Sequence, residues 1–278
     1  MSIAALLRNP RVLFGVLVLL ALLVAAAGAP WLSPNDPLEQ DLLNSFQRPG
    51  AGGEQAHALG TDSLGRDILS RLIYGARPAL IVAFVAALFA GLLGTVLGLA
   101  AGYFGGTPDA VVSRLVDIWM SFPSVLLCIV LAAVLGAGLH TVVIAIVVID
   151  WTRFCRVVRA ETMVQRSQDY VASAVTIGLG PMRILASEIL PNVAPLLLTL
   201  FTLEMGIAIV VEAILSFVGL SVSSGMPTWG SLIQEGRLYV NQAWWLMAAP
   251  MSCIIVAVLG LNALGDGLRE AIDPVQSR

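Results

Sequence analysis

Four stretches of this chain run about the length of a bilayer without a charged side chain: Val12–Ala29, Pro78–Gly102, Ile118–Leu139 and Trp244–Gly265. A hydrocarbon core about 30 Å thick is crossed by about 20 residues of helix. Backbone N–H and C=O groups at that depth must be satisfied internally, which a helix does within one segment. Two further stretches are less clean. Thr141–Ile149 is free of charge before Asp150, and Arg153 and Arg156 follow. A span from His140 to about Arg159 therefore needs a wet end into which the arginines snorkel. Val193–Leu220 carries Glu204 and Glu212. The pattern predicts an all-α integral membrane protein with six transmembrane helices. The run Val12–Ala29 ends in Ala27-Gly28-Ala29, which has the form of a signal-peptide cleavage site. Its 18 residues exceed the ~7–15 of a signal-peptide core, so a cleaved signal and a retained first span both fit.

Composition excludes most soluble chemistry. The chain is 58% hydrophobic and 12% charged, about half the charge of a soluble domain. All 15 cations are arginine. Without lysine there is neither a phosphate-loop lysine nor a Schiff base, so any ATP is hydrolysed on another chain. A net charge of -3 supplies no basic surface for nucleic acid. Cys128, Cys155 and Cys253 are widely spaced and only His57 and His140 accompany them, so no metal site is expected.

Sidedness follows from the arginines. With the N-terminus inside, ten of the 15 fall on the cytoplasmic side and five on the outer side, placing both termini in the cytoplasm. The first outer loop is long. Within it Leu64–Tyr74 has apolar residues at helical spacing, with Arg66, Asp67 and Arg71 opposite, and reads as an amphipathic helix lying on the outer face of the membrane. The chain divides into residues 1–76 (first span and outer loop), 77–266 (a five-helix core) and 267–278 (a cytoplasmic tail).

The segment 160–192 is polar enough to lie in water, on the cytoplasmic side. Asp169–Ile177 reads as a short helix with Tyr170, Val171, Ala174 and Val175 on one side. Gly178 and Gly180 break it, Pro181 opens a second helix, and Pro191 is expected to stop that helix before the fifth span. An apolar face turned to the cytoplasm asks for a partner groove, or for the protein's own helix ends.

Two sets of residues inside the spans also stand out. Gly94, Gly98 and Gly102 recur every four residues, the spacing that lets helix backbones approach closely, either within this subunit or against a partner. Asp150, Glu204 and Glu212 are carboxylates at bilayer depth, where an ionisable group faces a wet cavity or a partner. Asp150 also has Arg153 at i+3 as a local ion-pair partner.

The chain also carries sequence blocks in a fixed order. Gly178 is followed after nine residues by Glu188-Ile189-Leu190-Pro191. Ahead of it come His57-Ala58-Leu59-Gly60-Thr61-Asp62-Ser63-Leu64-Gly65-Arg66-Asp67 and Ala101-Gly102-Tyr103-Phe104-Gly105-Gly106, the latter followed by Asp109, Arg114, Asp117 and Pro123. After it come Leu215-Ser216-Phe217-Val218-Gly219-Leu220, Trp229-Gly230, Gly236-Arg237, Ala243-Trp244-Trp245 and Leu264-Gly265-Asp266-Gly267-Leu268-Arg269 with Asp273-Pro274. Together they resemble the inner-membrane permeases of binding-protein-dependent ABC importers. The similarity is to the C-type member of the pair in the group that carries dipeptides, oligopeptides, nickel or glutathione. The resemblance implies a type I importer permease fold in a bacterial inner membrane. It implies a homologous B-type permease, two ATPase subunits and an extracytoplasmic solute-binding protein as partners, with membrane lipid around them. ATP and Mg2+ would sit on the ATPases and no cofactor in this chain. Tyr170, Val171, Ala172, Ser173, Ala174, Gly178, Leu190 and Pro191 would form the ATPase-coupling loop. Where the family has Glu-Ala-Ala, this chain has Ala172-Ser173-Ala174.

Two other readings are weighed against this one. An ion-coupled secondary transporter would use Asp150, Glu204 and Glu212 as ion sites, and would leave the cytoplasmic loop without a role. An intramembrane aspartyl protease would use Asp150 and Asp266, but Ala263-Leu264-Gly265-Asp266 misses the Gly-x-Gly-Asp pattern.

Overall fold

The computed structural model describes residues 9–51, 57–221 and 225–272. Arg8, Asp273, Pro274 and Arg278, which enter the arginine count and the block comparison, lie outside them, as does the second half of the proposed tail. Among the described residues the regular structure is helical, with one isolated β-bridge between Thr61 and Asp67.

Helix α1 is Pro10–Leu32, opened by the Asn9 side chain, which accepts from the Arg11 N–H. After the outer loop comes α2, Ile68–Phe104, then α3, Gly106–Met120, and α4, Ser124–Leu135. Helix α5 is Leu139–Arg166 and α6 is Asp169–Thr176. Helix α7 runs Pro181–Phe217, α8 is Trp229–Arg237 and α9 is Trp245–Ile272. Among them α1, α2, α7 and α9 are long and apolar enough to cross a membrane, and the bent pair α3/α4 would make a fifth. Helix α5 is long enough at 28 residues, but its charges keep it from counting on composition alone.

Helix α2 lies at the centre, packed on α5, α7 and α1. It presents Ala79, Ala83, Ala86, Ala87 and Ala90, each essentially fully buried, so its neighbours approach closely. Helix α1 meets α9 the same way: a methyl group on Gly15 would stand 2.6 Å from the Gly260 carbonyl.

Three expectations are corrected. The stretch Leu64–Tyr74 is not a separate surface helix: α2 starts at Ile68 and continues through it. Its polar residues turn inward, with Arg71 only 3% exposed. They meet Asp62 and, from α8, Glu235, which lies 164 residues beyond Arg71 and is invisible to a local pattern. Next, the charge-free run Ile118–Leu139 is not one straight span. Helices α3 and α4 meet at 85°. Pro123 lacks an N–H and disfavours helix at the residue before it, so the break falls there. The 12 residues of α4 rise only ~18 Å. Finally, Pro191 does not stop the second loop helix. The helix absorbs it through a π-helical stretch, Leu185–Ile189, in which the Leu190 N–H reaches back to the Leu185 carbonyl. The Asn192 side chain donates to the Glu188 carbonyl at 2.6 Å, satisfying an acceptor next to the missing donor.

Candidate functional site

The loop in segment 160–192 is built on its own small core. Val171 and Ala174 of α6 are 2% and 5% exposed. They pack with Val158 of α5 and with Ile184, Leu185, Ile189 and Val193 of α7. The expected apolar face of Tyr170, Val171, Ala174 and Val175 is therefore split. Its middle is buried against the protein's own helices, while Val175, Ile177 and Met182 stand out at 55%, 76% and 74% exposure. Ala172 and Ser173 lie on the exposed side.

The turn after α6 is closed by hydrogen bonds. Gly178 has φ +84°, the left-handed conformation that glycine adopts without steric cost. The Leu179 N–H reaches the Ala174 carbonyl at 3.1 Å and the Gly178 N–H the Val175 carbonyl at 3.0 Å. Those two bonds satisfy carbonyls that the end of α6 would leave bare, and Leu179 packs back on the loop core. Pro181 then opens α7, where its missing N–H has no helical acceptor to serve. Leu190 is half-buried and Pro191 exposed, at the point where the π stretch gives way to the long span. Tyr170 ties the three helices together. Its hydroxyl donates to Gln165 Oε1 of α5 at 2.6 Å and accepts from Asn192 of α7 at 3.3 Å. Partial burial, with Glu188 and Glu161 nearby, raises its pKa and keeps it a neutral donor.

The glycine stripe faces α5. Methyl groups on Gly94, Gly98 and Gly102 would lie 2.4, 2.8 and 2.7 Å from the carbonyl oxygens of Trp151, Cys155 and Arg159. All three are thus placed against this subunit's own backbone. At the end of the stripe Arg159 pairs with Asp109 of α3 through two bonds, one of 2.8 Å between Nη2 and Oδ2.

The three carboxylates do not form one site. Asp150 of α5 and Glu204 of α7, each 3% exposed, come together beside Arg153. Arg153 Nε is 3.6 Å from Asp150 Oδ1, and Arg153 Nη1 is 3.7 Å from Glu204 Oε2. Glu212, two turns further along α7, is occupied elsewhere: the hydroxyls of Ser216 and Ser221 donate to its Oε1 at 2.5 and 3.1 Å. Among the described residues no group of His, Cys, Asp or Glu could hold a metal ion.

A further ion cluster gathers at the start of α2. Arg66 and Arg71 bridge Asp62 and Glu235, with Arg71 Nη1 at 2.5 Å from Asp62 and 2.7 Å from Glu235. His57 Nδ1 sits 3.0 Å from Asp67 Oδ1, and Asp67 accepts from the Ser70 hydroxyl at 2.6 Å. Trp229 and Trp245 donate from their indole nitrogens to the carbonyls of Leu72 and Thr61. The network joins the first outer loop to the segment around α8. Nothing local to the block points to Glu235, 164 residues beyond Arg71.

With this architecture in view, comparison with known proteins defines the class. Residues 94–278 match the model of the binding-protein-dependent transport system inner membrane component, and residues 2–49 match the N-terminal TM domain of oligopeptide transport permease C. The chain is 38% identical over 269 residues to the di/tripeptide transport system permease protein DppC of Pseudomonas aeruginosa, covering 96% of this chain and 89% of that one. It is 36% identical to the glutathione transport system permease protein GsiD of Pectobacterium atrosepticum, covering 96% and 87%. In fold it resembles a chain of the MetNI methionine ABC transporter in an inward-facing conformation, with a TM-score of 0.61 at 19% identity over 73% of this chain and 96% of that one.

The chain belongs to the family of binding-protein-dependent transport system inner membrane components. It has the type I importer permease fold and is a transport subunit, with ATP hydrolysis on separate chains. The family match and the relatives give no support to the ion-coupled reading.

Proposed function

We propose that this chain is the C-type permease of an importer for peptides or related small solutes of the dipeptide, oligopeptide, glutathione or nickel group. It works with a homologous B-type permease, two ATPases carrying ATP and Mg2+, and an extracytoplasmic solute-binding protein. It lies in the bacterial inner membrane, crosses it six times with α5 and the bent α3/α4 pair each counted once, and keeps both termini in the cytoplasm. Residues 1–76 add the first span and outer loop to a core of residues 77–266, and 267–278 form the tail. The relatives named for peptide and glutathione transport support the cargo class.

The coupling step belongs to segment 160–192. Val171 and Ala174 hold the loop on its own core, and Leu190 and Pro191 mark where it passes into the long span. Tyr170, Ala172, Ser173 and the rim of Val175, Ile177 and Met182 seat it in an ATPase groove, with Gly178 setting the angle. The observation that carries this reading is the apolar rim standing on a loop whose backbone is fully tied down: a rigid knob with nothing of its own covering it. Single cysteines at Val175, Ile177 or Met182, in an assembled complex lacking the native cysteines, should cross-link to an ATPase subunit. Ile177→Asp should cut ATPase retention on purification about tenfold, equivalent to 1.4 kcal/mol. Cross-links to the binding protein alone would put the loop on the wrong side of the membrane and sink the assignment.

A further inference from the structure

Helices α1 and α9 are knit together at one end of each. A methyl group on Gly260 would stand 2.5 Å from Val18, and one on Gly267 2.5 Å from Val12. With Gly15 facing Gly260, this glycine seam lets the two backbones approach closely. The seam stops at Gly260, because α9 has no glycine from Trp245 to Leu259. The same antiparallel register, carried on, sets Ala21 and Ala25 of α1 against Val256 and Cys253 of α9. The other end of α1 is held separately. Pro30 has no N–H for the Ala26 carbonyl four residues back, and Arg77 Nε of α2 donates to that oxygen at 2.6 Å. Between these two fixed points the helices stand apart.

A crevice of about 350 Å³ opens there. Ala21 and Ala25 of α1, Ile73 and Ala76 of α2, and Cys253 and Val256 of α9 wall it. Trp229 of α8 closes its inner side, and its indole nitrogen is already bonded to the Leu72 carbonyl. Ser252 at the edge turns its hydroxyl to the Ala249 carbonyl. Water entering would find almost no partner, and an apolar cavity of this kind does not hold it. Left empty, the walls would forgo the dispersion contacts that a close-packed interior makes.

The surroundings say what fills it. Leu20 and Val24 of α1 and Val256 of α9, all exposed, stand around the mouth on membrane spans, so the hydrocarbon that bathes those spans reaches the crevice directly. The volume equals that of about a dozen waters at about 30 Å³ each. That suits a flexible chain and is too small for a helix about 10–12 Å across. Because three spans supply the walls, a chain inside is enclosed and does not merely lie on the surface.

We propose that this crevice binds one acyl chain of a membrane phospholipid, wedged between the first span and the helices α2 and α9. The inference needs only the membrane location, and none of the cargo or coupling reading. The chain completes the packing of α1 where the glycine seam ends, and alanine at positions 21 and 25 leaves the room it occupies.

The test uses the complete complex of both permeases and ATPases, in nanodiscs containing phosphatidylethanolamine with a diazirine midway along one acyl chain. Light converts the diazirine to a carbene that inserts into neighbouring bonds, and peptide mass mapping locates the adducts. Adducts are expected at exposed Leu17 and Leu20, and also at Leu72, Ala76 and Trp229, which are buried beyond the reach of lipid that only surrounds the protein. Ala25→Phe puts a ring where the chain lies and should cut the adducts at the three buried residues about tenfold, leaving those at Leu17 unchanged. Ala21→Phe should do the same, so either variant suffices if the other fails to assemble, and the parent pattern decides if neither does. Adducts at Leu17 and Leu20 with none at the buried three overturn the proposal, because the crevice would then be closed to lipid. Buried adducts that persist undiminished in an assembled variant overturn it as well. So does benzoylphenylalanine at position 21 capturing the second permease in place of lipid, which would put a protein side chain in the crevice.

Discussion

Replacing Gly178 with valine adds no clash, since no atom lies within 4 Å of the position a Cβ would take. The cost is all in the backbone. At φ +84° an L-residue is strained by about 1–2 kcal/mol, and a β-branched one is a clear outlier. The chain can escape only by unwinding the turn, which gives up the bonds from Leu179 to Ala174 and from Gly178 to Val175. At about 0.5–1.5 kcal/mol each, that route costs about 1–3 kcal/mol. Either way the seated orientation of α6 loses about 1–2 kcal/mol, a factor of about 5–30 in its population. Gly178→Asp should be milder than Gly178→Val, and Gly178→Asn milder still, because short polar side chains tolerate this conformation. Gly180 is the internal control. It also has open space around it, but its φ of -69° and ψ of 153° suit any residue before a proline, so Gly180→Val should be neutral. The assay is ATPase retention and binding-protein-stimulated ATP hydrolysis of the purified complex, at matched membrane levels. Normal stimulation in Gly178→Val, or equal damage in Gly180→Val, would falsify the argument from backbone geometry.

Two further outcomes follow from the packing. Gly98→Leu drives a side chain into the Cys155 carbonyl and should lower the thermal stability of the purified complex by about 1–3 kcal/mol or prevent assembly, whereas Gly180→Ala, with nothing within 4 Å and an ordinary backbone, should leave it unchanged; equal melting temperatures for Gly98→Leu and the parent would undo the close-packing account. Arg71→Met leaves Asp62 buried beside one arginine instead of two and should cost about 3–5 kcal/mol, read as a lower melting temperature and as proteolysis of the outer loop; an unchanged melting temperature would mean that the outer network is ornamental.

Much of this was legible in the chain. The charge-free runs located α1, α2 and α9, because a bilayer imposes a length that composition records directly. The turn at Gly178 was readable because glycine there answers a local backbone need. The misses share a cause. The face carrying Arg66, Asp67 and Arg71 looked like a wet surface, and only Glu235, brought in by α8, makes it an interior. The pairing of Asp150 with Glu204 likewise depends on how two helices cross, which no periodicity along either one reveals. The bend at Pro123 and the passage through Pro191 show the reverse. The same residue breaks one helix, where nothing compensates it, and is absorbed by another, where Asn192 and a π stretch do.

Helix α2 begins in the outer ion network and at 37 residues rises about 56 Å, through its seam with α5, to Phe104. At that seam glycine backbone rests on carbonyls, with no flexible side chains between to absorb sliding. Arg159 and Asp109 pin the lower end, and the Tyr170 hydroxyl joins the far end of α5 to the cytoplasmic loop. The two helices are therefore a single strut about 56 Å long. If the proposed coupling holds, a tilt imposed on the 160–192 loop would be carried by that strut toward Asp62, Arg71 and Glu235 without needing a separate relay.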